Sequence, residues 1–195
     1  MNYPEYAKVE GKLYKINTDF RYAIEANRIA NDETIGDYER ALAVIYTLFG
    51  DKGINTPQHY EKLLELAKKY LSCGKELEVD KDEKPDMDYI EDMDYIEASF
   101  MSDYSIDLAN DKMHWWKFFK LINGLSNSEL GNCCILNRVR NLRNFDLSQI
   151  KDSKERQKIA KAKEQVELKK YKPKKRKATE EQQKNADEFM KALGL

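Results

Sequence analysis

Proline and glycine are scarce in this chain, at four and eight among 195 residues. That scarcity argues against a sandwich or barrel built on many tight turns and favours helices. Cysteine is scarcer still. Cys73, Cys133 and Cys134 are odd in number, two are adjacent, and no CxxC spacing occurs. Neither a disulfide framework nor a zinc site is expected, and the implied compartment is a reducing cytoplasm. No apolar run reaches the length of a membrane span, and the opening MNYPEYAKVEG lacks the apolar core of a secretory leader. There is no P-loop, nucleophile elbow, HExxH or GxGxxG pattern. The two histidines, His59 and His114, read as surface or packing groups before they read as bases. Carboxylates abound, but they sit in one polar stretch, whereas acid–base catalysis needs them in contrasting environments. The expectation is a protein that is not an enzyme and needs no cofactor or metal.

What the chain does have is charge, at 35% of residues with a formal net of −1. The near-neutral total hides polarity along the chain. Residues 1–75 carry 11 basic and 11 acidic side chains, residues 76–111 carry 2 and 14, and residues 112–195 carry 21 and 10. An acidic middle and a basic end attract one another within a chain or between chains, unless both are merely solvated faces. Self-association is therefore among the expectations.

The element pattern is mainly α: a compact multi-helix domain with a small N-terminal β-hairpin and a C-terminal helical extension. VEGKLYKI at residues 9–16 sets a glycine between β-friendly runs and predicts the hairpin. Thr18 or Asp19 caps a helix to about Ala30. Asp37 caps the next, whose face of Ala41, Val44, Ile45, Leu48 and Phe49 runs until Gly50 and Gly53 end it. Thr56-Pro57 starts a third helix with a stripe of Tyr60, Leu63, Leu64, Ala67 and Leu71, stopped by Gly74. Residues 75–85 read as an exposed acidic connection.

The hexapeptide DMDYIE then occurs twice in tandem, at residues 86–91 and 92–97. On a helix running from 86 to 104, Tyr89, Ile90, Met93, Ile96, Phe100 and Tyr104 cluster, while Tyr95 falls on the acidic side. Two copies are too few for a solenoid. The resemblance to a calcium loop is superficial, since the central glycine is missing. A helix begun near Asp111 and closed by Gly124 carries Trp115, Phe118, Phe119 and Ile122 on one face, extended by Leu125. Trp116 lies off that stripe beside Lys120, either as a lid on a neighbouring helix or as a contact for a partner.

SNSE at residues 126–129 has capping-box spacing and predicts a helix with Ile135, Val139 and Leu142 inward. Arg138, Arg140 and Arg143 spread over its other sides, and Cys133 and Cys134 read as small packing residues. Ser153 caps a further helix to about Lys170, with a thin stripe of Ile159, Ala162 and Val166. Such a helix touches the body along one edge, or projects and waits for a partner. The domain division that follows is 1–168 for the helical domain with its hairpin, 169–178 for a basic linker and 179–195 for a short amphipathic helical tail. The linker holds seven basic residues in nine over 169–177, and Ala186, Phe189, Met190 and Leu193 give the tail its apolar face.

INTDFR at residues 16–21, DYIEASF at 94–100, YSIDL at 104–108 and MHWWKF at 113–118, followed by Leu121 and Gly124-Leu125, resemble a phage protein family known as gene product fifteen, of siphophages and prophages of low-GC Gram-positive bacteria. The arginine-bearing and lysine-rich helices fit as well, so the likeness covers most of residues 9–170. The family's genes typically lie between those for the major tail protein and the tape-measure protein, where tail assembly chaperones are encoded. The resemblance therefore implies a tail assembly chaperone that binds the tape-measure protein, and by extension the tail tube protein. It implies action in the host cytoplasm and absence from the mature virion.

The chemistry of that role is coverage of an apolar helical client by another apolar face, with charge kept outward. Tyr95, Trp116, Lys120, Phe189, Met190 and Leu193 are the candidate contacts. Two competing roles are a nucleic-acid accessory acting through the basic linker and a structural head–tail or tail subunit. Against the first, the acidic stretch repels DNA and no DNA-binding motif is present, so nucleic acid is not an expected partner, nor is a membrane.

Overall fold

The computed structural model describes residues 3–75, 85–127 and 133–169. The tail over 179–195 and all of the basic linker beyond Lys169 lie outside the described residues, as does most of the acidic connection. The described residues group into two compact units. The first comprises 3–75 with 112–119, and the second comprises 85–111, 120–127 and 133–169. Seven α-helices and one two-stranded antiparallel hairpin are present among them.

In the first unit, β1 (Tyr6–Val9) pairs with β2 (Lys12–Lys15), Ala7 opposite Tyr14 and Lys8 opposite Leu13. Glu10 and Gly11 close the turn with φ of 48° and 83°, the primed geometry that matches strand twist. Ala7, Val9 and Tyr14 point inward; Tyr6, Lys8, Leu13 and Lys15 point out. The helix α1 (Phe20–Ala30) starts where expected, with the Asp19 side chain accepting from the Arg21 N–H.

Two expected boundaries move. In α2 (Asp37–Ile54) Gly36 is the cap and Asp37 the first helical residue, where its charge suits the helix N-terminus. Gly50 breaks the helix as expected, its φ of 61° and ψ of −160° kinking the chain, but a short helical segment continues past it and past Gly53 to Ile54. Thr56 makes no cap bond either. Its hydroxyl donates to the Lys52 carbonyl at 2.9 Å and accepts from Lys12 Nζ at 2.8 Å. A short 3-10 turn over Pro57–His59 leads into α3 (Tyr60–Leu71). The buried stripe of α3 is Tyr60, Leu63, Ala67 and Tyr70; Leu64 and Leu71 are only half-buried. Helix α1 packs on α2 and α2 on α3, with β2 against α2 and β1 against α3.

In the second unit, α4 (Met93–Tyr104) begins a full repeat later than expected. Asp88 is the cause. Its carboxylate accepts from the Ile90 and Glu91 N–H groups, and the Asp92 carboxylate accepts from the Asp88 N–H. Side chains thus hold residues 88–92 in a turn that competes with helix. Ile96 and Phe100 are buried as predicted, but Ile90 is exposed.

Helix α5 (Trp115–Asn123) gives residues 115–119 to the first unit and 120–123 to the second. It starts at Trp115, past the Asp111 neighbourhood where it was expected. Helix α6 (Ile135–Asn144) is capped by Cys134, whose sulfur accepts from the Asn137 N–H at 3.5 Å. The expected capping box does not open it. Ser126 instead gives its N–H to the Asp103 carboxylate, and its carbonyl accepts from the Cys134 N–H and the Asn137 side-chain amide. Helix α7 (Ser153–Val166) is capped by Asp152 and contains no buried residue. It touches α6 along one edge, the first of the two arrangements its thin stripe allowed.

Candidate functional site

The stretches INTDFR and MHWWKF meet in the first unit. The Phe20 N–H donates to the Met113 carbonyl at 2.9 Å and the Trp115 N–H to the Thr18 carbonyl at 2.8 Å. Asp19 and His114 therefore form an antiparallel bridge, so α1 and α5 start side by side. Phe20 and Phe118 stack at 4.5 Å with planes 6° apart, and Trp115 lies 5.7 Å from Phe118. All three are buried.

His114 organises this junction. Its Nδ1 accepts from the Trp116 N–H at 3.0 Å and so caps α5. Nε2 then carries the proton and donates to the Pro4 carbonyl at 3.1 Å. The Tyr3 ring stacks on it at 4.9 Å. Burial lowers the His114 pKa, against smaller opposing effects of the Pro4 carbonyl and Glu5. Both nitrogens are occupied, so His114 positions a helix and has no lone pair left for base catalysis.

A second polar chain fastens the hairpin. The buried Tyr14 hydroxyl meets His59 Nδ1 at 2.6 Å, and His59 Nε2 lies 3.3 Å from Glu10 Oε2. Lys62 pairs with Glu10, and Lys52 Nζ donates to the Leu13 carbonyl at 2.7 Å. Tyr14 has no exposed surface, so this chain reaches no substrate through it.

The candidate contacts fall in different places. Trp116 lies in the first unit, half-buried. Its Nε1–H donates to the Tyr70 carbonyl at 2.9 Å, and its ring lies over Gly74 near the end of α3. Of the two roles left open for Trp116, the lid on a neighbouring helix is the one its contacts describe. Tyr95 and Lys120 belong to the second unit, half-buried on α4 and exposed on α5 respectively. Phe189, Met190 and Leu193 lie outside the described residues.

The sequence reading missed an apolar strip on α2. Tyr38, Leu42 and Tyr46 recur at i, i+4 and i+8, which places them in one row. Tyr38 and Leu42 are half-buried, and Tyr46 is 56% exposed. The row drifts off the core face of Val44, Ile45, Leu48 and Phe49, so its far end faces solvent. The i, i+4, i+8 spacing was the available signal.

In the second unit an open groove of about 700 Å³ lies between the end of α4 and the start of α6. Ser102, Asp103, Ser126, Cys133 and Arg138 line it among others. Burial alone would raise the Asp103 carboxyl, but hydrogen bonds from Ser126 and Ser102 hold it below its usual value. Cys134 is committed to its cap. Among the described residues, no cluster of metal-ligating side chains occurs and no helix is long and apolar enough to cross a membrane.

The sequence matches the Bacteriophage Gp15 protein family over residues 3–168. The chain belongs to that family. No curated protein and no solved structure matches it.

Proposed function

We propose that this Gp15-family phage protein is a tail assembly chaperone that holds the tape-measure protein soluble until tube subunits close around it. The observation that carries the reading is the row of Tyr38, Leu42 and Tyr46 on α2, apolar, aligned with a helix axis and open to solvent at Tyr46. A tape-measure protein is a long helical chain with an apolar stripe. Such a stripe aggregates unless another apolar face covers it, and a row of this spacing suits a helix laid alongside. Exposed Tyr6 and Leu13 on the hairpin add apolar surface in the same unit. Many copies along one client would gain by avidity, so each contact can be weak. Trp116 serves this reading indirectly, by seating α5 on α3.

The test is capture of a tagged copy from cells making phage, with mass spectrometry of the eluate and of purified particles. The reading expects the tape-measure protein in the eluate, with or without tube protein, and little of this chain in particles. Stoichiometric recovery in particles without capture of the tape-measure protein would favour a structural subunit instead.

A further inference from the structure

We infer that the chain pairs with a second copy of itself through its second unit, the acidic face of α4 on one copy lying against the basic face of α7 on the other. On α4, Asp94, Glu97, Ala98 and Met101 share one side, and Asp94, Ala98 and Met101 are exposed, Met101 at 49%. On α7, Lys154, Lys158 and Lys161 fall within about 60° of one another at about 100° per residue, and all three are exposed. The half-buried edge of α7, at Ile159, Ala162 and Val166, is turned away from that lysine row.

Several neighbouring charges of this unit are already committed. Arg140 meets Asp86, Arg143 meets Asp92, Lys163 donates to the Phe145 carbonyl, and Glu91 accepts from the Lys169 N–H. Among the described residues, the side chains of Asp94, Glu97, Lys154, Lys158 and Lys161 have no hydrogen bond or ion pair. Helices α4 and α7 both pack on α6, so acidic and basic faces belong to one unit and remain unpaired within it. A two-fold axis satisfies both at once, α4 on α7 of the partner and α7 on α4 of the partner, which is the self-complementary requirement of a symmetric dimer. Met101 supplies an adaptable apolar contact inside the charged rows. This pairing stands whether or not the chaperone reading holds.

Sedimentation velocity on the full chain tests it. The expected result is a dimer at low ionic strength that dissociates toward about 1 M salt, where the screening length falls to about 3 Å. Asp94→Lys with Glu97→Lys should weaken the dimer about ten-fold or more, as should Lys154→Glu with Lys158→Glu and Lys161→Glu. Mixing those two variants should restore a heterodimer, because each then supplies what the other lacks. Circular dichroism melts confirm that both variants fold, and Gln at the same positions serves if either does not. A monomeric parent at all concentrations would overturn the proposal. So would a dimer indifferent to both sets, failure of the mixture, or a dimer lost only when Lys174, Lys175, Arg176 and Lys177 become Gln.

Discussion

Asp92 and Arg143 are joined by two hydrogen bonds of 2.7 Å, with 1% and 9% of their side chains exposed. The same guanidinium donates to the Asp86 carbonyl at 2.8 Å and the Val166 carbonyl at 2.6 Å, so one residue ties the acidic repeat and the end of α7 to α6. Asp86 and Asp92 are equivalent positions of the tandem hexapeptide, and each meets an arginine of α6. Their burial differs: the Asp86–Arg140 pair has side chains 30% and 32% exposed. Removing one partner of a buried pair leaves an uncompensated charge. Asp92→Ala should therefore cost about 3–5 kcal/mol. Asp86→Ala, at the more solvated pair, should cost about 1 kcal/mol or less. Urea midpoints of the two variants check the contrast.

His114 predicts a pH dependence. Its folded pKa lies below the ordinary 6.5, chiefly through burial. The unfolded chain therefore takes up the proton first, and the contribution to stability is complete above pH 6.5. It falls as pH drops below 6.5 toward the folded pKa and is lost once pH has passed through it. Protonation removes the Nδ1 lone pair that caps α5. Urea midpoints between pH 8 and 5 should fall in the parent and flatten in His114→Asn, which offers a neutral cap acceptor. Parallel profiles would mean the cap does not titrate.

The adjacent tryptophans should separate by burial. Trp115 is 1% exposed, stacks with Phe118, and donates from Nε1 to the Leu71 carbonyl at 3.0 Å. Trp115→Ala should cost about 3–5 kcal/mol. Trp116 is half-buried with one such bond, so Trp116→Ala should cost about 1–2 kcal/mol. Thermal melts decide the order; equal losses would mean that the Trp116 ring carries as much packing as its neighbour.

Gly50 holds φ 61° and ψ −160° in the middle of α2, and a Cβ there would meet nothing within 4 Å. Gly50→Ala should therefore lose about 1–3 kcal/mol through backbone strain alone. A calorimetric melt as stable as the parent would show that the kink relaxes into regular helix.

Faces were more legible in the sequence than boundaries. The hairpin followed from one glycine between short runs, and Ile96, Phe100, Trp115, Phe118 and Val139 are buried as their spacing predicts. Boundaries failed where a long-range contact outweighed a local signal. Asp92 is held by Arg143, and Ser126 by Asp103, so neither the repeat nor Ser126 behaves as its neighbours in sequence dictate. His114 and Cys134 are uncommon caps, invisible to a search for Ser, Thr, Asp or Asn. Asn137 is buried, donating to the Leu125 carbonyl at 3.2 Å and accepting from Arg140; periodicity cannot anticipate a satisfied buried amide. The α2 row was overlooked because Tyr38 and Leu42 border the core face and only Tyr46 leaves it.

The central claim is coverage of an apolar client, and the soluble yield of the cognate tape-measure protein measures it most directly. That protein is expressed alone, with the parent chain, and with Tyr46→Ala. Tyr46 is 56% exposed, so the substitution should leave the melt within about 0.5 kcal/mol of the parent. Co-expression with the parent should raise the soluble fraction several-fold, and Tyr46→Ala should return most of that gain to the pellet. A soluble fraction unchanged by the parent chain would contradict the account.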